Sequence, residues 1–95
     1  MFSHPADYTP VCTTELGRVE TLSQEFEKRG VKLIALSCDD VESHNGWIGD
    51  IVAYNNIAGT VSFPIIADPS REVANLYGML DPDEKDGDGI PLTCR

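Results

Sequence analysis

A cysteine near the start of the chain stands in a pattern that supports nucleophilic or redox chemistry. Thr9, Pro10 and Cys12 come immediately before a helical apolar pattern. Thr9 is a plausible N-cap, and Pro10 suits the first helical position because its φ is already helical and its missing N–H costs nothing there. Cys12 then lies in the first turn, where backbone N–H groups and the helix dipole favour a thiolate. A cysteine at such a position is alternatively a small buried apolar residue.

The composition is that of one small acidic globular domain. The chain has 95 residues, of which 41% are hydrophobic and 24% charged, and a formal charge of -9 at pH 7. This charge disfavours nucleic acid and anionic membranes as partners. No apolar run approaches the ~20 residues of a membrane span, and the first residues are unlike a signal peptide. We therefore expect a cytoplasmic protein with no integral membrane segment.

The cysteines favour reduced thiols over a disulfide framework. Cys12, Cys38 and Cys94 are odd in number and lack C-x-x-C spacing, which disfavours a zinc site. Reduced thiols are typical of a reducing compartment. We expect neither a metal nor a bound cofactor.

The apolar spacing predicts an α/β domain with parallel strands. The expected elements are a helix over residues 9–29, a strand over 31–38, a helix over 43–54, a strand over 63–67 and a helix that ends at Gly78. Gly30 is expected to end the first helix, and Gly17 within it predicts a close backbone approach. Ser43 is the expected cap of the second helix. Residues 81–89 are expected to form an acidic loop, and residues 90–95 to begin another strand.

A specific motif surrounds the first cysteine. Pro5, Thr9 and Cys12 form a P-x-x-x-T-x-x-C pattern, and V-K-L-I-A-L-S, F-P-I-I-A-D and G-M-L-D-P follow along the chain. With these stretches the chain closely resembles the peroxiredoxins, specifically the one-cysteine, peroxiredoxin-6-type subfamily, over essentially all of its length. The resemblance implies a thioredoxin-like fold. It also implies a thiol peroxidase that reduces hydrogen peroxide and organic hydroperoxides, including those of phospholipids.

The resemblance assigns roles around the cysteine. Cys12 matches the peroxidatic cysteine, whose thiolate attacks the peroxide and becomes a sulfenic acid. Thr9 matches the residue that hydrogen-bonds the sulfur or the peroxide. Pro5 matches the residue that shields the site from bulk water.

Three further residues match the subfamily's site. Arg95 matches the arginine that stabilises the thiolate and the charge developing on the peroxide. His4 matches a histidine near the cysteine, and Glu15 matches a carboxylate that orients the arginine. The alternatives are a terminal charge for Arg95, an exposed loop residue for His4 and a first-turn acid favoured by the dipole for Glu15.

The resemblance also implies an external reductant. Cys38 and Cys94 lack the Val-Cys-Pro setting of a resolving cysteine, so we interpret both as structural thiols. The sulfenic acid would then be reduced by an external thiol, which in this subfamily is glutathione delivered by a glutathione transferase. The subfamily forms homodimers through an edge strand that is missing here.

Compared with full-length relatives, the sequence looks truncated at both ends. The central strand of the family sheet is reduced to Met1 and Phe2, so we expect an incomplete fold with two parallel strands and three helices within one partial domain, residues 1–95. Such a chain would fold marginally. An alternative function is therefore a catalytically incompetent fragment that binds full-length subunits through exposed apolar surface. A third interpretation is a cysteine hydrolase that uses Cys12 with His4 or His44.

Overall fold

The fold alternates helices and strands in the α/β order that the sequence predicts. A computed structural model describes residues 1–94, and all of their side chains except that of Glu84. In chain order the elements are β1 (Phe2–Ser3), α1 (Pro10–Thr21), α2 (Ser23–Lys28), β2 (Ala35–Ser37), α3 (Val41–Tyr54), β3 (Ile65–Ala67), α4 (Glu72–Leu76), β4 (Leu80–Lys85) and β5 (Pro91–Thr93). None of the helices within residues 1–94 is long and apolar enough to cross a membrane.

The central layer is a three-stranded parallel sheet in the order β1-β2-β3. Ser3 lies opposite Leu36 in the first pair, and Leu36 lies opposite Ile66 in the second. The middle strand, β2, is buried along its whole length, as expected for a parallel strand covered on both faces. The expectation of only two parallel strands is corrected, because the short β1 pairs with β2 and adds a third.

The first helical segment is interrupted, whereas the sequence predicted one continuous helix. At Leu22 the backbone has φ −94° and ψ 0°, between α1 and α2. Its N–H is shared between the carbonyls of Arg18 and Val19, both at 3.1 Å, and the Thr21 hydroxyl donates to the Arg18 carbonyl at 2.7 Å. Such side-chain bonding competes with the helical ladder and explains the interruption. Gly30 follows the end of α2 with φ 70°, as predicted.

Helices α1 and α3 pack closely at Gly17, which confirms the predicted close approach. A β-carbon at this residue would collide with the Asn55 side chain. The Asn55 amide donates to the carbonyls of Thr13 at 3.1 Å and Ile51 at 2.9 Å. The indole N–H of Trp47 also donates to the Thr13 hydroxyl, at 3.0 Å. These contacts fix the N-terminal half of α1 against α3.

The start of α3 differs from the prediction. The cap is Asp40, whose carboxylate accepts from the Ser43 N–H at 2.8 Å, so the predicted cap at Ser43 is wrong. Because the helix already begins at Val41, Ser43 is its third residue and supplies the N–H that the cap satisfies. The apolar face of α3 is as predicted, with Trp47 and Ile51 fully buried.

The acidic segment near the end of the chain is half strand and half turn. β4 and β5 pair in antiparallel fashion, with Leu80 opposite Thr93, so the prediction of a loop over 81–89 is wrong for its first half. The Asp86 carboxylate accepts from the N–H groups of Asp88 and Ile90, both at 2.9 Å. This turn brings residues 91–93 back alongside the acidic segment. Backbone groups of β4 therefore bond to β5 instead of to water.

Candidate active site

Cys12 lies where the sequence places it, in the first turn of α1. The helix begins at Pro10, and Thr9 before it has an extended backbone with φ −78° and ψ 143°. Cys12 is the third helical residue and has no accessible surface. Its neighbourhood thus combines the positive end of a helix dipole with complete exclusion from bulk solvent.

Thr9 occupies the N-cap position without capping through its side chain. Its hydroxyl donates to the Ala6 carbonyl at 3.2 Å, because this acceptor lies within the same tight turn. The Thr9 carbonyl accepts from both the N–H and the hydroxyl of Thr13, at 2.9 and 2.8 Å. The predicted N-cap position of Thr9 and the helix start at Pro10 are therefore confirmed, although the Thr9 side chain makes no capping hydrogen bond.

The loop between β1 and α1 turns sharply before the helix. Tyr8 has φ 63°, a left-handed conformation that is uncommon for residues other than glycine. Backbone strain of this kind is found at functional sites that the surrounding structure holds in place. Pro5 is half-buried in the same loop.

A buried polar cluster anchors this loop. One carboxylate oxygen of Asp7 lies 2.7 Å from Nε2 of His4, and the other lies 2.6 Å from Nδ1 of His44. The Ser43 hydroxyl donates to the second oxygen at 2.8 Å. His4 and His44 are 1% and 3% exposed, so these contacts form out of water, where hydrogen bonds to a charge are strong.

The environment of Asp7 favours its ionised form. Burial alone would raise its pKa, but hydrogen bonds from His4, Ser43 and His44, with the positive charge of His44, lower the pKa below its ordinary value. The Asp7 side chain is 1% exposed. It is therefore a buried carboxylate that its partners keep charged.

A second carboxylate extends the cluster to the end of β2. Asp39 accepts from the Asp7 backbone N–H at 2.9 Å and from the Ser37 hydroxyl at 2.8 Å. Asp7 is thus tied to β2 by its backbone and to α3 by its side chain. Both ties lie at the carboxyl ends of the parallel strands, where α/β sheets form their sites.

His4 is fixed through its backbone and through one face of its ring. Its N–H donates to the Leu36 carbonyl at 3.1 Å, and its carbonyl accepts from the Thr93 hydroxyl at 2.7 Å. The ring packs on Trp47 with centroids 4.8 Å apart. The alternative of an exposed loop residue is therefore wrong, because His4 is buried.

The remaining predicted site residues fall in different places. Glu15 is half-buried one turn after Cys12, and together with His4 it borders a cleft of about 470 Å³. Arg95 lies outside the described residues. Within residues 1–94 the cysteines form no disulfide. Burial, above all, raises the pKa of Cys38, which agrees with a structural thiol.

Three groups of the cluster could in principle hold a metal ion. Ligand atoms of His4, Asp7 and Asp39 lie within 4.8 Å of one another. Nε2 of His4, Oδ1 of Asp7 and Oδ2 of Asp39 are each engaged in a hydrogen bond of 2.7 to 2.9 Å, so a metal bound through these atoms would have to displace a proton. The arrangement fits a hydrogen-bonded cluster better than a metal centre.

Sequence reasoning missed Asp7 and Asp39 and considered His44 only as a hydrolase base. Both ring nitrogens of His44 are occupied, by Asp7 and by the Ile66 carbonyl at 3.1 Å. Neither is available to a cysteine. A signal was present, since Asp7 lies between His4 and the helix start and Asp39 follows β2.

Comparison with known proteins decides the family. Residues 1–94 match the AhpC/TSA family. The chain belongs to this family. It is 61% identical to peroxiredoxin-6 of Rattus norvegicus and 57% identical to a probable 1-Cys peroxiredoxin of Syntrichia ruralis, and it covers 43% of the length of each. The resemblance to one-cysteine peroxiredoxins is therefore confirmed.

Solved structures of the AhpC/TSA family share the fold. The crystal structure of a cysteine-to-serine mutant of peroxiredoxin 6 from Arenicola marina matches with a TM-score of 0.93 and 57% identity, over 98% of this chain and 42% of that one. A yeast mitochondrial 1-Cys peroxiredoxin matches with a TM-score of 0.79 and 52% identity, over 92% of this chain and 42% of that one. That structure concerns thiol resolution through the glutathione and thioredoxin systems. The thioredoxin-like fold is confirmed, and the chain represents part of it.

Proposed function

We propose that this chain carries the peroxidatic site of a thiol peroxidase that acts on hydrogen peroxide and organic hydroperoxides, including those of phospholipids. The observation that carries the proposal is the position of Cys12. It lies at the third position of α1, in the turn that begins at Pro10 after Thr9, where the backbone N–H groups of the first turn lie at the same end of the helix as the sulfur. Family membership over residues 1–94 supports the same chemistry.

The reaction is a two-electron oxidation of one sulfur. The Cys12 thiolate attacks the terminal oxygen of the hydroperoxide, so that an S–O bond forms while the O–O bond breaks. The leaving oxygen takes a proton and departs as water or an alcohol. Cys12 is left as a sulfenic acid. The N-terminal turn of α1 stabilises the negative charge on sulfur before the attack.

Four residues are proposed to assist Cys12. Arg95 stabilises the thiolate and the charge that develops along the breaking O–O bond, and Glu15 orients this arginine. Thr9, whose hydroxyl proton is directed to Ala6, accepts a hydrogen bond from the hydroperoxide O–H through its hydroxyl oxygen. Pro5 limits access of water to the sulfur.

An external thiol is proposed to complete the cycle. The thiol condenses with the sulfenic acid, releasing water and forming a mixed disulfide that a second thiol reduces. Glutathione is the proposed reductant, with delivery by a glutathione transferase. Cys38 is 7% exposed, and its raised pKa disfavours the thiolate that a resolving cysteine needs.

The test is peroxide consumption by folded protein in stopped flow, with circular dichroism to establish folding. Cys12→Ser should abolish consumption and labelling by dimedone, a reagent for sulfenic acid, while Cys38→Ser retains both. An attempt to trap an acyl-enzyme intermediate on Cys12 should fail, which would exclude the alternative of a cysteine hydrolase. Folded protein that consumes peroxide equally well without Cys12 would refute the proposed role.

A second candidate is a non-enzymatic partner of full-length subunits. The cleft beside β1 favours this candidate. Half-buried apolar side chains line it, namely those of Phe2, Val19, Phe26 and Leu33. Within residues 1–94, β1 pairs with β2 alone, so one edge of the sheet accepts a further strand. A folded chain that binds a full-length subunit but shows no Cys12-dependent consumption would favour this candidate. Turnover by the isolated chain would exclude it.

A further inference from the structure

We infer that Asp7 and His44 are positioning residues of the proposed peroxidase site, holding the His4 ring with its proton on Nε2 and its Nδ1 bare. The inference rests on the proposed function only for its effect on rate. The proton assignment itself follows from the acceptors around the two rings. It deepens the description of the site, because neither Asp7 nor His44 belongs to the set that the family resemblance supplies.

The first step is the protonation of His44. Its Nε2 lies 3.1 Å from the Ile66 carbonyl, which can only accept, so Nε2 carries a proton. Its Nδ1 lies 2.6 Å from an oxygen of Asp7. Two bare acceptors would repel at this distance, so a proton lies between them. With Asp7 ionised, His44 is a buried imidazolium paired with a buried carboxylate.

The second step is the tautomer of His4. Its Nε2 lies 2.7 Å from the other oxygen of Asp7, and the same argument places a proton on Nε2. Its Nδ1 is buried and has no hydrogen-bond partner among the described residues. A second proton there would make Nδ1 a buried donor on a charged ring with no acceptor among the described residues, because Asp7 already takes the Nε2–H and Asp39 is engaged by the Asp7 N–H and the Ser37 hydroxyl. Nδ1 is therefore bare.

The consequence for the reaction is a restriction on His4. With Nδ1 bare and Nε2–H committed to Asp7, His4 can accept a hydrogen bond but cannot donate the proton that the leaving oxygen needs. The same residue, Asp7, also anchors the loop that carries Pro5 and Thr9, because its backbone N–H binds Asp39 and its side chain binds Ser43. Asp7 thus positions the loop as well as the ring.

Nitrogen-15 NMR of the imidazoles in the folded wild-type protein tests the proton assignment directly. We expect His4 to show a protonated Nε2 and an unprotonated Nδ1, and His44 to show two protonated nitrogens. A protonated Nδ1 on His4, or a neutral His44, would overturn the inference. This measurement needs no peroxidase activity, so an inactive chain would refute the proposed function without touching the assignment.

Variants test the positioning role. In Asp7→Asn, the amide oxygen can still accept from His4 while its NH₂ donates to His44. We therefore expect His44 to lose its Nδ1 proton, His4 to keep its tautomer and the rate of Cys12 oxidation to fall less than about threefold. Asp7→Leu offers no acceptor, and a loop displaced by about 1 Å should slow oxidation roughly a hundredfold.

Asp88→Asn, an exposed change in the hairpin turn, is the matched control and should alter neither spectrum nor rate. If Asp7→Leu does not fold, Asp7→Ser takes its place, because its single oxygen cannot serve both His4 and His44; the same slowing is expected, and a folded Asp7→Ser protein with a wild-type rate would overturn the positioning role. Folded Asp7→Leu with a wild-type rate would overturn the positioning role.

Discussion

Gly17→Ala should destabilise the protein, although alanine is the better helix former. The new methyl group would occupy the space of the Asn55 side chain. That side chain cannot move without breaking its hydrogen bonds to the carbonyls of Thr13 and Ile51. The matched change is Gly49→Ala in α3, where nothing lies within 4 Å of the added carbon.

The two substitutions separate packing from helix propensity. Each gains up to about 1 kcal/mol from replacing glycine within a helix. Gly17→Ala also loses two hydrogen bonds, worth about 0.5–1.5 kcal/mol each, so its net effect is a loss of about 1 kcal/mol. Gly49→Ala should instead gain up to about 1 kcal/mol. The difference of about 2 kcal/mol corresponds to a Tm difference of roughly 8–16 °C in a domain of this size.

Urea unfolding followed by circular dichroism measures both changes. A third variant, Asn55→Ala, provides the internal control, because Gly17→Ala should be neutral or stabilising once Asn55 is truncated. Equal stability of the Gly17→Ala and Gly49→Ala proteins would refute the close packing of α1 on α3. So would an unchanged cost of Gly17→Ala in the Asn55→Ala background.

Three further changes test other parts of the structure. The pKa of Asp7 is lowered from 3.8, so its contribution to the free energy of unfolding is full above about pH 4 and is lost as the pH falls through the folded-state value. Urea titrations at several pH values should therefore show a smaller decrease in unfolding free energy at low pH for Asp7→Asn than for the wild type. The control Asp88→Asn should show the wild-type decrease. Leu16→Ala should cost about 2–5 kcal/mol at a site that is 2% exposed, whereas Leu76→Ala, at 84% exposure, should change unfolding by less than about 0.5 kcal/mol; equal effects would contradict the described core. Arg95→Ala should slow peroxide consumption in stopped flow, and an unchanged rate would show that this arginine does not act at the site.

Features set by neighbouring residues were predictable. The start of α1 at Pro10 and the ends of α2 and α4 near Gly30 and Gly78 follow from backbone preferences that hold in any context. The close approach at Gly17 was also predictable. Glycine inside an amphipathic helix lowers the stability of the helix, so its presence there indicates that a neighbouring segment leaves no room for a side chain. Its partner Asn55 was not, because it lies 38 positions along the chain.

Features set by distant residues were not predictable. β1 is two residues long, and only its pairing with β2 makes it a strand. The strand character of β4 likewise depends on β5, because its acidic residues have low β propensity. The site divides in the same way: the position of Cys12 follows from local sequence, while the partners of His4 other than Asp7 come from α3, β2 and β5.

This division explains why one carboxylate matters to both structure and reactivity. Asp7 lies only three residues from His4, yet its other partners, Asp39, Ser43 and His44, are 32 to 37 positions away. A side chain that joins local to distant segments forms its bonds only when β2 and α3 are in place. The helix turn alone can favour a thiolate at Cys12, but the fixed ring of His4 requires the assembled sheet. The chemistry of this loop is therefore a property of the folded domain rather than of its motif.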